Sequence, residues 1–221
     1  MRNISITGDL GSGKSTVAKQ LCGQLGFEYF STGRIQRQIA AERGIDTLQL
    51  NQACNNDKSV DDLIDGKLRQ MNEDGTADTI FDSRLAWFFV NKSFKIYLTA
   101  LPAVAAERVF HDDKRTSEPD GTQDQVLNNL LERQKVENER FKNFYNADCF
   151  NLDNYDLIVD TSYSSVEEIS GLIIKVFKDS ENGIVSPRMW ISAKMINARM
   201  PEGCKLDERA GLVPVSEWPL K

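Results

Sequence analysis

The run Gly8-Asp9-Leu10-Gly11-Ser12-Gly13-Lys14-Ser15 constrains this chain more than any other part of it. It fits the pattern G-x-x-x-x-G-K-[ST], directly after the β-prone run Ile4 to Thr7 and directly before a helical pattern that opens at Lys14. Glycines at these positions let successive backbone N–H groups turn inward as an anion nest, and the start of a helix adds partial positive charge. Gly8, Gly11, Ser12, Gly13, Lys14, Ser15 and Thr16 are therefore candidates for holding phosphate. Lys14 has the reach for the β- and γ-phosphates of a nucleoside triphosphate such as ATP, and the Ser15 hydroxyl can ligate Mg²⁺. Thr16 extends the donors at the helix start. The alternative is a glycine-rich turn that binds nothing, and the strand–turn–helix setting of the full motif weighs against it.

The rest of the chain repeats that alternation. Phe27 to Phe30, Thr79 to Phe81, Phe94 to Thr99 and Leu157 to Val159 read as further strands. Lys14 to Leu25, Gly33 to Arg43, Leu48 to Cys54, Asp61 to Met71, Pro102 to Phe110, Asp124 to Tyr145 and Ser165 to Phe177 read as helices. Strands separated by helices imply right-handed crossovers, hence an α/β fold with a parallel five-stranded sheet covered on both faces. Gly26 suits the stop of the first helix, Pro102 the start of another, and Ser165 with Glu168 forms a capping-box pattern. Asp112 to Gln123 is charged and nearly without apolar residues, the mark of an exposed loop. Beyond Asp179, Gly183, Pro187, Pro201, Gly203, Pro214 and Pro219 break the pattern, with room for a short helix from Ile191 to Arg199. This tail is a candidate partner contact, and the sequence leaves monomer and homodimer open.

Composition excludes several classes. The 221 residues allow one sizeable domain with extensions, and 40% apolar with 27% charged residues is ordinary for a globular chain. A net charge of −6 argues against a sequence-independent grip on nucleic acid, though not against a local cationic pocket. No apolar run approaches the roughly 18–20 residues that span a bilayer, so no membrane role is expected. The start of the chain is charged and strand-like, unlike a signal peptide. Cys22, Cys54, Cys149 and Cys204 form no C-x-x-C pair, and His111 is the lone histidine. Scattered thiols of this kind point to a cytoplasmic protein without a zinc site.

Three clusters bear on what the phosphate loop serves. Ser31-Thr32-Gly33-Arg34-Ile35-Gln36-Arg37 follows the second strand, and Arg37 sits one helical turn in, where a guanidinium can grip a second phosphate; a capped surface helix is the plainer account. Phe81-Asp82-Ser83-Arg84 ends the third strand, where an open parallel sheet builds its crevice. Asp82 is placed to hold Mg²⁺ through water or to cap the next helix, and Arg84 to contact a phosphoryl acceptor. Arg108, Lys114, Arg115, Arg133 and Arg140 surround the charged loop. Arg133 and Arg140, seven apart, share a helix face and can neutralise charge on transferring phosphoryl oxygens; a solvated helix is the alternative, since Glu132, Lys135, Glu137, Glu139 and Lys142 lie on it too. His111 reads as a surface loop residue.

With these clusters the pattern resembles the nucleoside monophosphate kinases, and more narrowly the short cytidylate kinases of archaeal type. The likeness runs from about Ile4 to Val176. It rests on the phosphate loop, Ser31-Thr32-Gly33 with Arg37, Glu42-Arg43-Gly44, Val60-Asp61 and Ile64-Asp65. It continues in Ser83-Arg84-Leu85-Ala86-Trp87, Ala106-Glu107-Arg108, Arg133 with Arg140-Phe141, Tyr145-Asn146-Ala147-Asp148 and Tyr155-Asp156-Leu157-Ile158-Val159-Asp160-Thr161.

The resemblance implies a P-loop NTPase-type fold and Mg²⁺-dependent transfer of the γ-phosphoryl of ATP to CMP or dCMP. It implies a kinase domain over 1–179 with an acceptor-binding helical insert at about 39–75 and a lid at about 110–123, followed by an extension, 180–221, that the short kinases lack. Under it Arg37 and Arg84 bind the acceptor monophosphate, while Lys14, Arg108, Arg133 and Arg140 serve transfer. Asp61 and Asp65 either shape the acceptor pocket or pack their helix. Arg34 and the arginine-poor loop depart from the pattern. Two rivals stand beside this reading: a P-loop kinase for another small acceptor, and a non-catalytic ATP-binding regulatory module.

Overall fold

The first strand, β1 (Asn3–Gly8), is buried along its whole length and takes neighbours on both sides. It pairs in parallel with β3 (Thr79–Asp82) through Ile4–Ile80 and Ile6–Asp82, and with β4 (Ser93–Thr99) through Ile4–Phe94 and Gly8–Leu98. Outside these lie β2 (Glu28–Ser31), paired to β3, and β5 (Leu157–Asp160), paired to β4. The computed structural model describes residues 3–54, 58–112, 122–184, 189–191 and 211–213.

Two strands go beyond the five that the sequence pattern shows. β6 (Met189–Ile191) joins β5 in parallel and β7 (Gly211–Val213) joins β6 antiparallel, giving the order β2-β3-β1-β4-β5-β6-β7. At three residues each they are too short to leave an alternating signature among the prolines and glycines around them. Ile191, expected to open a helix, ends β6, and 192–199 lie outside the described residues. So do 113–121, most of the segment expected to be a lid.

Helices cover both faces. α1 (Lys14–Leu25) and α8 (Val166–Glu181) close one side over Ile4, Ile6, Val17, Leu21, Ile96, Leu98, Ile173 and Phe177. Each fully buried aliphatic or aromatic side chain contributes roughly 1.5–3 kcal/mol. The other face is more aromatic: Phe81, Trp87, Phe89, Tyr97, Phe141 and Tyr155 pack beneath α5 (Ala86–Phe89) and the long α7 (Gln123–Tyr145). Before α7 comes α6 (Pro102–Phe110), with its proline in the first turn. Between β2 and β3 run α2 (Thr32–Glu42), α3 (Thr47–Ala53) and α4 (Ser59–Glu73), which share a core of Ala40, Leu50, Cys54, Val60 and Ile64.

Helix ends follow local chemistry. Gly26 turns left-handed (φ 71°) and its N–H donates to Cys22 O, stopping α1. Capping boxes start α3 (Asp46, Gln49), α7 (Thr122, Gln125) and α8 (Ser165, Glu168). Among the described residues no helix is long and apolar enough to cross a membrane.

Candidate active site

The chain leaves β1 toward β2 on one side and returns through β3 to β4 on the other, so a crevice opens at the carboxyl ends of β1 and β3. Gly8 to Gly13 form its floor. Gly8 has φ 140°, and a Cβ there would lie 2.0 Å from Leu98 O; at Gly11 (φ 77°) it would lie 2.6 Å from Ala105 O. The loop threads so close to β4 and α6 that a side chain at either position collides with backbone.

Asp9 fixes the loop's outer limb. Its Oδ1 accepts from the Tyr97 hydroxyl (2.7 Å) and from Gln134 Nε2 (2.8 Å), and its Oδ2 accepts from Thr99 Oγ1 (2.6 Å) and Ala100 N (3.2 Å). One carboxylate thus ties the loop to β4 and α7. Thr161 Oγ1, after β5, donates to Ser12 O. Lys14 arches back, its Nζ donating to Gly8 O (3.0 Å) and Asp9 O.

At the end of β3, buried Asp82 accepts at Oδ2 from Ser15 Oγ (2.6 Å), the Tyr29 hydroxyl (2.8 Å) and Ser31 Oγ (3.4 Å). The N-cap of α5 is Leu85, so Asp82 is not spent on a helix end. Burial and the Asp82 charge raise the Tyr29 pKa, so its hydroxyl stays a donor. Among the described residues no three His, Cys, Asp or Glu gather as a protein-only metal site. A hydroxyl beside one carboxylate on the crevice floor fits Mg²⁺, which prefers oxygen, keeps water and takes phosphate oxygens as further ligands.

The arginines divide. Arg37, Arg84 and Arg133 line the same cleft as Lys14, Ser15, Thr16 and Asp82, a space of about 480 Å³. Arg84 donates from Nε to Glu137 Oε2 (2.8 Å) and from Nη1 to Gly8 O. Arg133 donates from Nε to Glu137 Oε1 (2.9 Å), from Nη1 to Thr47 Oγ1 (2.8 Å) and from Nη2 to Gln36 Oε1 (3.4 Å). Burial works to lower the Arg84 pKa, but Glu137, Cys149 and Tyr97 around it together outweigh burial and the pKa is raised. For Glu137, burial pushes upward and the surrounding Arg84, Arg133 and Arg140 hold it down at about 2.

Arg140 and Arg108 lie elsewhere. Arg140 is 2% exposed and donates to Asn51 O (2.8 Å) and Asn51 Oδ1 (2.9 Å), with Asp61 Oδ2 at 2.8 Å from its Nε. It shares a helix face with Arg133 but is turned into the contact of α7 with α3 and α4. Asp61 is therefore a buried ion-pair partner, and Asp65, one turn on, is buried too. Burial pushes the Asp65 carboxyl up to about 7, with the Tyr145 hydroxyl opposing. Neither carboxylate lines the cleft. Arg108 lines a second cavity of about 380 Å³ on the far side of the phosphate loop, with Gly11, Gly13, Val17, Val109 and Val166. Its Nη2 donates to Thr161 O (2.6 Å) and Ser162 O (3.2 Å), and burial lowers its pKa.

Sequence reasoning missed Glu137, Gln36, Tyr29 and the anchoring of Asp9. Glu137 did carry a signal: it sits four residues after Arg133 and three before Arg140, hence on their face.

Comparison with known proteins agrees with this architecture. Residues 3–163 match the model of the cytidylate kinase-like family. A protein of Natronomonas pharaonis named cytidylate kinase is 34% identical over 172 residues, covering 77% of this chain and 86% of its own. One of the same name from Sulfolobus acidocaldarius is 33% identical over 175 residues, covering 78% and 92%. Among solved structures, a Eubacterium ventriosum protein superposes with a TM-score of 0.60 at 14% identity, over 80% of this chain and 99% of that one. Shikimate kinase from Bacteroides thetaiotaomicron superposes at 0.55 and 14% identity, over 80% and 98%. At such identity the structural matches speak for the fold: a parallel sheet flanked by helices, as in P-loop kinases.

Proposed function

The chain belongs to the cytidylate kinase-like family, and on that premise we propose that it transfers the γ-phosphoryl of ATP to a pyrimidine nucleoside monophosphate, CMP or dCMP. The observation that carries the reading is one cleft with two sets of anion-binding groups: the loop with Lys14 on one wall, and Arg37, Arg84 and Arg133 on the other. A protein that bound a triphosphate alone would have no use for the second set.

In this reading the backbone N–H groups of the loop, the start of α1 and Lys14 seat the β- and γ-phosphates of the donor. Lys14 gives up Gly8 O and Asp9 O as it does so. Ser15 and Asp82 would hold Mg²⁺, whose chemistry is to draw charge from the phosphate oxygens. Arg37 and Arg84 hold the acceptor phosphate, and Arg133 stabilises charge that spreads over the transferring group. A monophosphate oxygen is already nucleophilic, so alignment and exclusion of water suffice and no general base is required. The cavity beside Arg108 lies where the donor's nucleoside would leave the loop. Arg140, Asp61 and Asp65 serve by holding the insert at about 39–75 against α7. The thiols of Cys22, Cys54 and Cys149 fit a reducing, cytoplasmic setting.

The test is ADP formation from ATP and Mg²⁺ with CMP, dCMP, UMP, AMP, GMP or dTMP as acceptor. Stimulation greatest with CMP or dCMP is expected. ATP binding without stimulation by any of them would overturn the proposal in favour of a binding module.

A further inference from the structure

Glu137 lies behind the cleft wall, bound to two of the arginines that line it. It is 3% exposed, and three donors from three elements converge on it: Arg84 Nε on Oε2, and Arg133 Nε and Asn51 Nδ2 (3.0 Å) on Oε1. Burying a carboxylate is costly unless it is paired, and a pair of this kind is often no more stabilising than an apolar contact of the same volume. What the arrangement does provide is geometry. Arg84 comes from the turn after β3 and Arg133 from α7, elements that approach each other across the mouth of the sheet. Their like charges would repel without an anion between them. A bond from Nε also fixes the plane of a guanidinium, because its five N–H groups are rigidly coplanar.

We propose that Glu137 is a positioning residue for phosphoryl transfer: it touches neither nucleotide, and sets the spacing and planes of Arg84 and Arg133 so that acceptor phosphate and transferring phosphoryl meet in line. Asn51 steadies it from the insert, since its Nδ2 also donates to Thr47 O (2.7 Å) and its Oδ1 accepts from Gln36 Nε2 (3.0 Å) and Arg140. The carboxylate thereby relates three parts of the molecule to one another: the β3 end, α7, and the helices between β2 and β3. This inference rests on the proposed acceptor chemistry and adds the group that holds it in register.

The experiment is a pair of double-mutant cycles, E137Q with R84K and E137Q with R133K, read as acceptor KM, kcat, and ATP affinity titrated without acceptor. E137Q should raise acceptor KM by about tenfold and lower kcat by about 10–100-fold, leaving ATP affinity within about twofold. Each lysine background, which has already lost the fork, should erase most of the E137Q effect. E137D keeps the charge one methylene back and should restore part of the lost activity. An E137Q effect of full size in both lysine backgrounds, or one that follows ribose against deoxyribose, would mean that Glu137 contacts the acceptor itself and would overturn the proposal. An equal loss of ATP affinity would do the same. If E137Q does not fold, E137D decides: a wild-type acceptor KM in that folded variant defeats the positioning role. A wild-type chain that phosphorylates no nucleotide acceptor defeats the functional reading itself, a result distinct from all of these.

Discussion

The two walls of the cleft are built by different means. The phosphate-loop wall comes from eight consecutive residues, and its shape is a backbone shape, set by glycines that nothing larger can replace and by the Asp9 carboxylate. The arginine wall comes from α2, the β3 end and α7, and its shape is a side-chain shape, set by a buried carboxylate with its partners. A backbone site tolerates change wherever its geometry survives. A side-chain site depends on long, flexible groups whose rotamers must be held by others, so its weak points lie one layer behind the groups that meet the ligand.

That contrast can be broken or sharpened by mutation. The largest effect is expected at Lys14. Lys14→Ala should cut turnover by about 10³-fold or more with an unchanged thermal midpoint, because it removes a charge from the phosphates and leaves the core intact. Near-normal kcat in steady-state assays would remove Lys14 from the machinery. Next comes Arg140→Ala, which strands the buried Asp61 charge and should cost about 3–5 kcal/mol in denaturant unfolding. Replacing both partners together with leucine and methionine should recover most of that loss, since no unpaired charge remains. If Arg140→Ala proved as stable as the wild type while losing turnover, Arg140 would belong with the ligand-facing arginines after all.

Asp65 gives a smaller, pH-dependent effect. Its carboxyl is raised from 3.8 to about 7 by burial, so the folded state holds a proton that the unfolded chain has released. The native state then binds more protons, and stability falls as pH rises from about 4 to 7, levelling off above the folded value. Asp65→Asn should flatten that slope and gain on the order of 1–3 kcal/mol at pH 8 relative to pH 5, read from unfolding curves across pH. A slope that survives the substitution would assign the titration elsewhere. The smallest effect is expected for Tyr29→Phe, which removes one of three hydroxyls from Asp82 at a cost of about 0.5–1.5 kcal/mol. The Mg²⁺ half-saturation of turnover should move by less than about threefold, since Ser15 still reaches the same oxygen.

The same contrast governs what could be read in advance. Strands β1 to β5 and helices α1 to α4 and α6 to α8 show in the sequence because each is a local period closed by a local stop, as at Gly26, Pro102 and Ser165. The short α5 shows only as an unbounded helix that Asp82 could cap, because Leu85 to Phe89 are all apolar and carry no period of their own. In the site, the loop is legible because its function is its spacing. The destinations of Arg133 and Arg140 are not, because their seven-residue interval puts both on one face without saying how deep each sits. Depth comes from α3 and α4, whose Thr47, Asn51 and Asp61 lie more than 70 residues away in the chain and pair with the two arginines differently. Glu137 looked like part of a solvated helix for the same reason: a charge becomes buried only when its opposites arrive from elsewhere.

The Gly8 carbonyl oxygen receives both Lys14 and Arg84, a cation from each wall. Under the proposed function, a triphosphate that drew the ammonium off would leave that oxygen to the guanidinium, and the donor's arrival would be felt across the cleft without any helix having moved. Such a shared oxygen would couple the two seats: whatever free energy one ligand lent the other's seat would be returned in equal measure, whichever bound first.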